Sequence, residues 1–315
     1  MAINDKGEPP VRTGKPTGKV TSPLTRIATE IAILKKLHHP NVVRLIELCA
    51  NCTNWMFFGF SPVMEVPTDD PLDEETAWRY LRDTLLGLEY LHFQKIVHRD
   101  IKPSNLLLSN TGSVKIADFG VSSQFTGVDA YLSGTVGTPA FVAPEALREN
   151  SNQFYSGRAQ DIWSLGITLY AFVYGNVPFV DSNIAALYEK IRNEPLEQPK
   201  KFPDRIPSNN DSFNNYFRTH VSHSLQELIS CMLEKDPGHR YTLNEIMHHR
   251  WVIKNGTSVL TQELKYSHLV KVTDEEVQNS VKVVPRLDTV ILNKSMVLWK
   301  HFGNPFRAKP SNSEY

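Results

Sequence analysis

The stretch that decides the fold is His98-Arg99-Asp100-Ile101-Lys102-Pro103-Ser104-Asn105. Thirteen residues after Asn105 comes Asp118-Phe119-Gly120, and Ala143-Pro144-Glu145 follows later in the chain. Each segment alone is weak evidence, because loop carboxylates and capped turns are common in all proteins. All three in this order are not expected by chance.

Composition excludes several classes of protein. The chain has 315 residues, of which 41% are hydrophobic and 22% charged, so extensive disorder is not expected. Its 34 basic and 34 acidic side chains cancel, which argues against nucleic acid as a partner. The apolar runs are shorter than the roughly 20 residues of a membrane span, and three cysteines cannot build a disulfide framework. With no signal-like segment at its start, we expect a cytoplasmic or nuclear protein without membrane contact.

Hydrophobic periodicity predicts an α+β protein with a thin strand-containing region ahead of a mainly helical body. A helix is expected to close at His38-His39-Pro40. The other predicted helices cover 73–92, with Asp73 as N-cap, and approximately 158–174, 183–193, 224–234 and 242–250. The predicted strands cover 42–46, 54–60, 106–108 and 114–116. Capping boxes are predicted at Ser224–Glu227 and Thr242–Glu245.

The three segments match the signature set of the eukaryotic protein kinases, and the resemblance spans roughly residues 26–253. It implies a kinase-like fold with a large helical lobe and a small β lobe. It also implies ATP and Mg²⁺ as cofactors. Phosphoryl transfer needs groups that position the reactants and offset charge, and the quoted loop supplies residue types suited to both tasks.

The resemblance assigns a role to each polar residue of these segments. Asp100 is the expected catalytic base for the incoming hydroxyl, and Lys102 neutralises the transferring phosphate, as in the serine/threonine-specific kinases. Asn105 and Asp118 are the expected Mg²⁺ ligands.

The nucleotide site is expected to include two further residues. Leu107 resembles the residue that packs under the adenine ring, and Glu30 the helix glutamate that pairs with a strand lysine. No Gly-x-Gly-x-x-Gly and no Val-Ala-Ile-Lys occurs in the sequence, so the small lobe is predicted to be truncated.

Regulatory and bracing residues follow from the same resemblance. Thr138 resembles the threonine beside the catalytic loop, Thr135 is the more exposed candidate for phosphorylation, and Arg99 is a candidate partner for a phosphate there. Asp161 resembles the buried aspartate that braces the catalytic loop from a central helix; a helix N-cap is the alternative interpretation, and the two roles can coexist. The pair Glu145 and Arg240 resembles the buried ion pair between the activation segment and the large lobe.

Less generic segments resemble the calcium/calmodulin-dependent protein kinase kinases. These segments are Pro62-Val-Met-Glu-Val-Pro67, Ile116–Ser122, Thr135–Phe141, Thr273–Val281 and Gly303-Asn-Pro-Phe306. This resemblance implies calcium-loaded calmodulin as a partner and downstream protein kinases as substrates.

Residues 285–302 are predicted to form a basic amphipathic helix beside an autoinhibitory segment. Pro285 suits a first helical turn, and Gly303-Asn-Pro305 is a stop signal. The stripe that calmodulin is expected to bind consists of Leu287, Ile291, Leu298 and Phe302. A helix packed on the large lobe is the alternative interpretation of the same periodicity.

The chain is therefore divided into four predicted parts. These are a flexible Pro/Gly-rich arm (1–24), a small-lobe remnant (25–60), a large lobe (61–253) with a surface insertion (194–222), and a regulatory tail (254–315). The predicted function is a calcium/calmodulin-regulated serine/threonine kinase. The alternative is a catalytically weak, kinase-like module that binds calmodulin or partner kinases.

Overall fold

The computed structural model describes residues 31–32, 35–43, 60–125, 130–147, 154–197, 221–260, 269–270 and 272–282. In these ranges short strands and longer helices form a mixed α+β fold, as predicted. The helices are α1 (Glu74–Phe93), α2 (Gly157–Tyr174), α3 (Ile184–Asn193), α4 (His223–Met232), α5 (Leu243–Met247) and α6 (Asp274–Lys282). The strands are β1 (Ser61–Pro62), β2 (Ile96–Val97), β3 (Leu106–Leu108), β4 (Val114–Ile116), β5 (Ser123–Gln124), β6 (Tyr131–Leu132) and β7 (Tyr155–Ser156).

Two helices form the centre of the molecule. Helix α1 starts where predicted, because the Asp73 carboxylate accepts the Thr76 N–H at 2.9 Å. Helix α2 is apolar on almost every side, and both Trp163 and Phe172 within it are fully buried. It ends at Gly175, whose φ of 74° is the left-handed conformation that glycine adopts freely. Helices α1 and α2 therefore contact each other and contribute many of the buried residues of the hydrophobic core.

Short antiparallel ladders hold the 98–105 loop at both ends. Strand β2 stops at Val97 and pairs with β5, while β3 starts at Leu106 and pairs with β1 and β4. The β3–β4 register aligns Leu106 with Ile116, so the two strands predicted over 106–108 and 114–116 are confirmed. Both ends of the loop and the chain just before Asp118 thus belong to hydrogen-bonded strands.

The segment before residue 44 is bound to the same ladder. The Val43 N–H donates to the Ile116 carbonyl, and the Ile116 N–H donates to the Asn41 carbonyl, each at 2.9 Å. Helix α1 approaches closely here, because a Cβ on Gly87 would lie 2.6 Å from the Asn41 oxygen. Of the strand predicted over 42–46, the described residues contain a parallel bridge between Val42 and Ile116.

The predicted caps have different outcomes. The capping box of Thr242 and Glu245 is confirmed at the start of α5. The box predicted at Ser224 is wrong, because α4 is capped by Ser222, whose hydroxyl and N–H are both bonded to the Glu74 carboxylate.

Among the described residues, no helix is long and apolar enough to cross a membrane.

Candidate functional site

The Asp100 carboxylate lies at the centre of the 98–105 loop and is 7% exposed. Its Oδ1 accepts the Thr138 N–H at 2.8 Å. Its Oδ2 lies 2.8 Å from the Lys102 Nζ and accepts from the Asn105 Nδ2 at 3.0 Å. The Lys102 ammonium also donates to the Thr138 hydroxyl at 2.6 Å. The carboxylate is therefore held from three sides in one orientation.

The charge state of Asp100 follows from these contacts. Burial raises the pKa of its carboxyl group, but the Lys102 charge and the hydrogen bonds from Lys102 and Thr138 outweigh burial and lower the pKa below its ordinary value. Asp100 is therefore ionised at neutral pH, as a proton acceptor must be.

Asn105 joins the end of the loop to its beginning. Its Nδ2 donates both to the Asp100 carboxylate and to the Asp100 carbonyl, the latter at 2.9 Å. Its backbone carbonyl accepts the Ala117 N–H at 2.9 Å. With both Nδ2 hydrogens committed, the amide oxygen is left as the atom that can bind a cation.

Asp161, in the second turn of α2, braces the start of the 98–105 loop through hydrogen bonds. It is fully buried, and its two carboxylate oxygens accept the N–H groups of His98 at 3.0 Å and Arg99 at 2.7 Å. Arg99 has a φ of 69°, a conformation that costs energy in a non-glycine residue and is held by this brace. The helix N-cap is Ser156, so the bracing interpretation of Asp161 is confirmed and the N-cap interpretation is wrong.

His98 connects the loop with the chain before Asp118. Its Nε2 lies 3.0 Å from the Ala117 carbonyl, which can only accept, so Nε2 carries the proton. The Nδ1 then accepts the Asp100 N–H at 3.3 Å. The His98 ring also meets the Phe119 ring edge-on at 5.1 Å.

Asp118 stands on the rim of this arrangement with its side chain exposed. Its backbone adopts a φ of 62°, and its Oδ1 accepts the Gly120 N–H at 3.2 Å. The contacts of Ala117 with Asn105 and His98 fix the chain one residue before it. Asp118 therefore extends a carboxylate into solvent beside the Asp100 loop.

Gly137 lets the segment around Thr138 approach the loop. Its φ is 112°, and a Cβ there would lie 2.6 Å from the Arg99 carbonyl oxygen. Only glycine combines that backbone conformation with that separation. The close approach is what brings the Thr138 N–H to Asp100.

The buried ion pair predicted for Glu145 and Arg240 is confirmed. The guanidinium contacts both carboxylate oxygens, at 2.6 and 2.9 Å, and both residues are at least 95% buried. Arg240 also donates to the carbonyls of Ala159 and Glu234, so it links three segments. The chain beyond Thr138 is thereby fixed to the helical body.

The sequence model of one family, described as the protein kinase domain, matches residues 13–252. The chain belongs to this family.

Several curated kinases are similar to the chain. It is 56% identical over 313 residues to the calcium/calmodulin-dependent protein kinase kinase of Caenorhabditis elegans, covering 96% of this chain and 55% of that protein. It is 37% identical over 243 residues to the serine/threonine-protein kinase GRIK2 of Arabidopsis thaliana (73% and 53%). It is 39% identical over 196 residues to the calcium/calmodulin-dependent protein kinase kinase cmkC of Emericella nidulans (61% and 33%). The resemblance to that kinase group is confirmed, and the chain spans about half the length of these relatives or less.

The remaining predicted site residues lie at several places in the kinase domain. Leu107 is half-buried in β3, between Pro62 of β1 and Lys115 of β4. Arg99 donates through its Nε to the Val121 carbonyl. The Thr135 hydroxyl donates to the Ala146 carbonyl at 2.8 Å. Glu30 and the predicted calmodulin stripe Leu287, Ile291, Leu298 and Phe302 lie outside the described residues.

Two contacts in the site had no sequence signal strong enough to predict them. The Thr168 hydroxyl, on α2, donates to the Ile101 carbonyl at 3.1 Å and supports the middle of the loop. Tyr155, buried in β7, donates its hydroxyl to the Gly134 carbonyl at 2.9 Å. Both join residues more than 20 positions apart, which periodicity does not reveal.

Proposed function

We propose that the chain is a serine/threonine protein kinase that transfers the γ-phosphate of ATP to downstream protein kinases under the control of calcium-loaded calmodulin. The observation that carries the proposal is the arrangement of Asp100, Lys102, Asn105 and Thr138, whose side chains or N–H groups meet at one ionised, buried carboxylate. The similarity to calmodulin-dependent kinase kinases supports the choice of substrate and regulator.

Asp100 acts as the base that takes the proton of the substrate hydroxyl. Its orientation is fixed by Thr138 and Asn105, so no reorganisation is needed when the hydroxyl arrives. The Lys102 ammonium lies beside the Asp100 carboxylate. Its positive charge there offsets the negative charge of the phosphoryl group during transfer.

The donor set fits Mg²⁺ and ATP. Asn105 offers an amide oxygen and Asp118 an exposed carboxylate, and such hard oxygen ligands are what Mg²⁺ prefers. When bound, Mg-ATP supplies the phosphoryl group and the charge neutralisation of its phosphates. Asn105 and Asp118 would hold the metal, and Leu107 would form the floor for adenine. Glu30 matches the helix glutamate that pairs with a strand lysine in the family, but no Val-Ala-Ile-Lys segment occurs in the sequence to supply that lysine.

Thr135, Thr138 and Arg99 are proposed to regulate access to the site. Thr138 positions both Asp100 and Lys102, so it controls the catalytic pair directly. Thr135 bonds to the Ala146 carbonyl through its hydroxyl, and phosphorylation replaces that contact with a dianion. Arg99 then supplies a guanidinium for the new phosphate.

The direct test is transfer of labelled γ-phosphate from ATP to a catalytically inactive calmodulin-dependent kinase. We expect label on Ser or Thr, dependence on Mg²⁺, and a loss of at least about 100-fold in Asp118→Asn. Asp69→Asn, a matched change at an exposed carboxylate outside the site, should leave transfer unchanged. Label on tyrosine, or full transfer by Asp118→Asn, contradicts the proposal.

The calmodulin part is tested separately with the full chain. Calcium-loaded calmodulin should bind, a chelator should abolish binding, and Phe302→Asp should weaken it strongly because a charge enters the apolar stripe. Asn293→Asp adds the same charge on the other side of the predicted helix and should have a much smaller effect. Binding without calcium, or equal effects of the two substitutions, contradicts this assignment.

A second function is favoured by one sequence observation. The 315 residues contain neither a Gly-x-Gly-x-x-Gly nor a Val-Ala-Ile-Lys segment, which normally hold the phosphates. A kinase-like module that binds calmodulin and partner kinases with little turnover would show calcium-dependent binding but no Asp118-dependent transfer. The two assays above distinguish it from the first proposal.

A further inference from the structure

A short part of the chain after residue 268 packs against a region of the kinase domain that is distant from it in the sequence. The Val270 N–H donates to the buried Gln94 side chain at 2.7 Å, at the C-cap of α1. Val270 and Val272 are half-buried against the hydrophobic core. These contacts place the start of α6 beside the C-terminal end of α1.

The segment that precedes Val42 is bound to the same end of α1. The His38 N–H donates to the Tyr90 hydroxyl at 3.0 Å, and the His39 ring stacks on the Tyr90 ring at 4.9 Å. Tyr90 and Gln94 are four residues apart, so they lie on one face of α1, one turn from each other. The tail and the 35–43 segment therefore share a binding face on α1.

One ion pair joins these two segments directly. The Lys36 Nζ lies 2.7 Å from the Glu276 Oε2, although the residues are 240 positions apart. Lys36 belongs to a helical stretch, since residues 31–32 and 35–36 are helical. The pair is thus a bond between the N-terminal helical stretch and α6.

The position of the Glu276 side chain is also fixed by hydrogen bonds at the start of its own helix. Its Oε2 also accepts the Thr273 N–H at 2.8 Å, and its own N–H donates to the Thr273 hydroxyl at 3.2 Å, which is a capping box at the start of α6. The fixed carboxylate reduces the side-chain entropy that an exposed ion pair normally costs. Glu275, the preceding residue, is exposed and belongs to the same helical turn.

The other end of the 35–43 segment reaches the catalytic site. Asn41 and Val43 form backbone hydrogen bonds to Ile116, and Asp118 follows two residues later. Lys36 is thus seven residues from Val43, which is hydrogen-bonded to the strand that ends two residues before Asp118. This short connection runs through backbone hydrogen bonds and packed side chains rather than through solvent.

From this connection we propose that Glu276 is a positioning residue for the kinase reaction. Its pairing with Lys36 lets residues 269–270 and 272–278 hold the 35–43 segment, and hence Ile116 and Asp118, in the catalytic arrangement. The part of the inference that concerns turnover rests on the proposed kinase function. The contact between Lys36 and Glu276 can itself be tested without measuring activity.

The experiment is a charge-swap cycle on the full chain. Lys36→Glu and Glu276→Lys each place like charges together, and the double variant restores an opposite pair in reversed order. Each single variant should lower kcat/KM for Mg-ATP by about three- to tenfold, in keeping with an exposed pair of 35% and 42% side-chain exposure. The double variant restores the ion pair but not the hydrogen bond from the Thr273 N–H to the side chain of residue 276, so its kcat/KM should exceed that of Glu276→Lys by at least about threefold. Glu275→Lys should stay within about twofold of the wild type throughout.

Amide hydrogen exchange supplies a readout that does not depend on catalysis. Residues 35–43 should exchange faster in each single variant, recover protection in the double variant, and be unchanged in Glu275→Lys. If the wild type shows no phosphoryl transfer, the kinase proposal fails. The exchange pattern still decides whether the Lys36–Glu276 pair holds residues 35–43 in place. Unchanged exchange in both single variants, or exchange in the double variant as fast as in Glu276→Lys, contradicts the role proposed for the Lys36–Glu276 pair.

Discussion

At the scale of single residues, the site depends on how Asp100 is kept charged while buried. Lys102 and Thr138 lower the pKa of its carboxyl group, although burial works in the opposite direction. A carboxyl with a lowered folded-state pKa stabilises the fold above its ordinary pKa of about 3.9, and that stabilisation is lost as the pH falls through the folded-state value. The same contacts that keep Asp100 ionised therefore also contribute to stability at neutral pH.

Thr138 offers a test of how Lys102 is positioned. Thr138→Val keeps the shape and the backbone N–H to Asp100 but removes the hydroxyl that accepts from Lys102 at 2.6 Å. We expect kcat to fall about three- to tenfold, the value of roughly one hydrogen bond. Thr138→Ser keeps the hydroxyl and should retain kcat within about twofold. Steady-state kinetics at saturating ATP decides, and equal losses in both variants contradict the assigned role.

His39 gives a prediction for the pH dependence of stability. Burial, together with the charges of Lys115 and His38, lowers the pKa of its imidazole to about 4, and its Nδ1 accepts the Asn41 N–H at 3.0 Å. The unfolded chain binds a proton there near pH 6.5 and the folded chain does not. His39 therefore lowers the free energy of unfolding as the pH falls from about 6.5 to about 4.

Between pH 7 and pH 5 this difference amounts to about 1–2 kcal/mol. His39→Asn retains an acceptor for the Asn41 N–H but does not titrate, so its stability should fall by correspondingly less over that range. Urea denaturation at both pH values measures the difference. The same fall in His39→Asn and the wild type contradicts the prediction.

At the scale of structural elements, the Glu145–Arg240 pair holds the chain after Thr138 on the helical body. Arg240→Met leaves a buried carboxylate without its partner, and we expect the free energy of unfolding to drop by about 3–5 kcal/mol. Glu189→Gln removes one partner of an exposed pair with Arg192 and should cost less than about 1 kcal/mol.

Chemical denaturation of both variants compares the buried and the exposed pair directly. Adding Glu145→Leu to Arg240→Met should restore part of the lost stability, because no unpaired charge then remains buried. The recovery is partial, since the carbonyls of Ala159 and Glu234 still lack the Arg240 donor. A cost for Arg240→Met as small as that of Glu189→Gln is incompatible with this account.

The sequence predicted elements best where the signal was local. Strands β3 and β4 were predicted to the residue, because Gly112 and its neighbours mark the turn between two apolar runs. The N-cap of α4 was mispredicted by two residues, because Glu74, 148 positions away, binds Ser222 and makes it the cap. The Lys36–Glu276 pair and the Thr168–Ile101 contact were not predicted for the same reason: both depend on partners brought together by folding.

At the scale of the whole molecule, the described part of the kinase domain is a mainly helical body with the 98–105 loop anchored at both ends. Asp161 braces the loop from α2, the β2–β5 and β3–β4 ladders hold its ends, and the segment before residue 44 joins the same sheet. The loop residues were predicted from sequence because their spacing is local. Their mutual orientation required the fold, since Thr138 and Asp161 come from distant segments.

The central claim is that this anchored loop performs phosphoryl transfer with Asp100 as the base, and its most direct test is the turnover number of Asp100→Asn. The substitution keeps the size of the side chain and the contact with the Thr138 N–H but removes the proton acceptor. With a downstream kinase as substrate and Asp69→Asn as the matched control, we expect kcat to fall by about 10²–10⁴ in Asp100→Asn and not in the control. A kcat within about threefold of the wild type in Asp100→Asn would contradict the account.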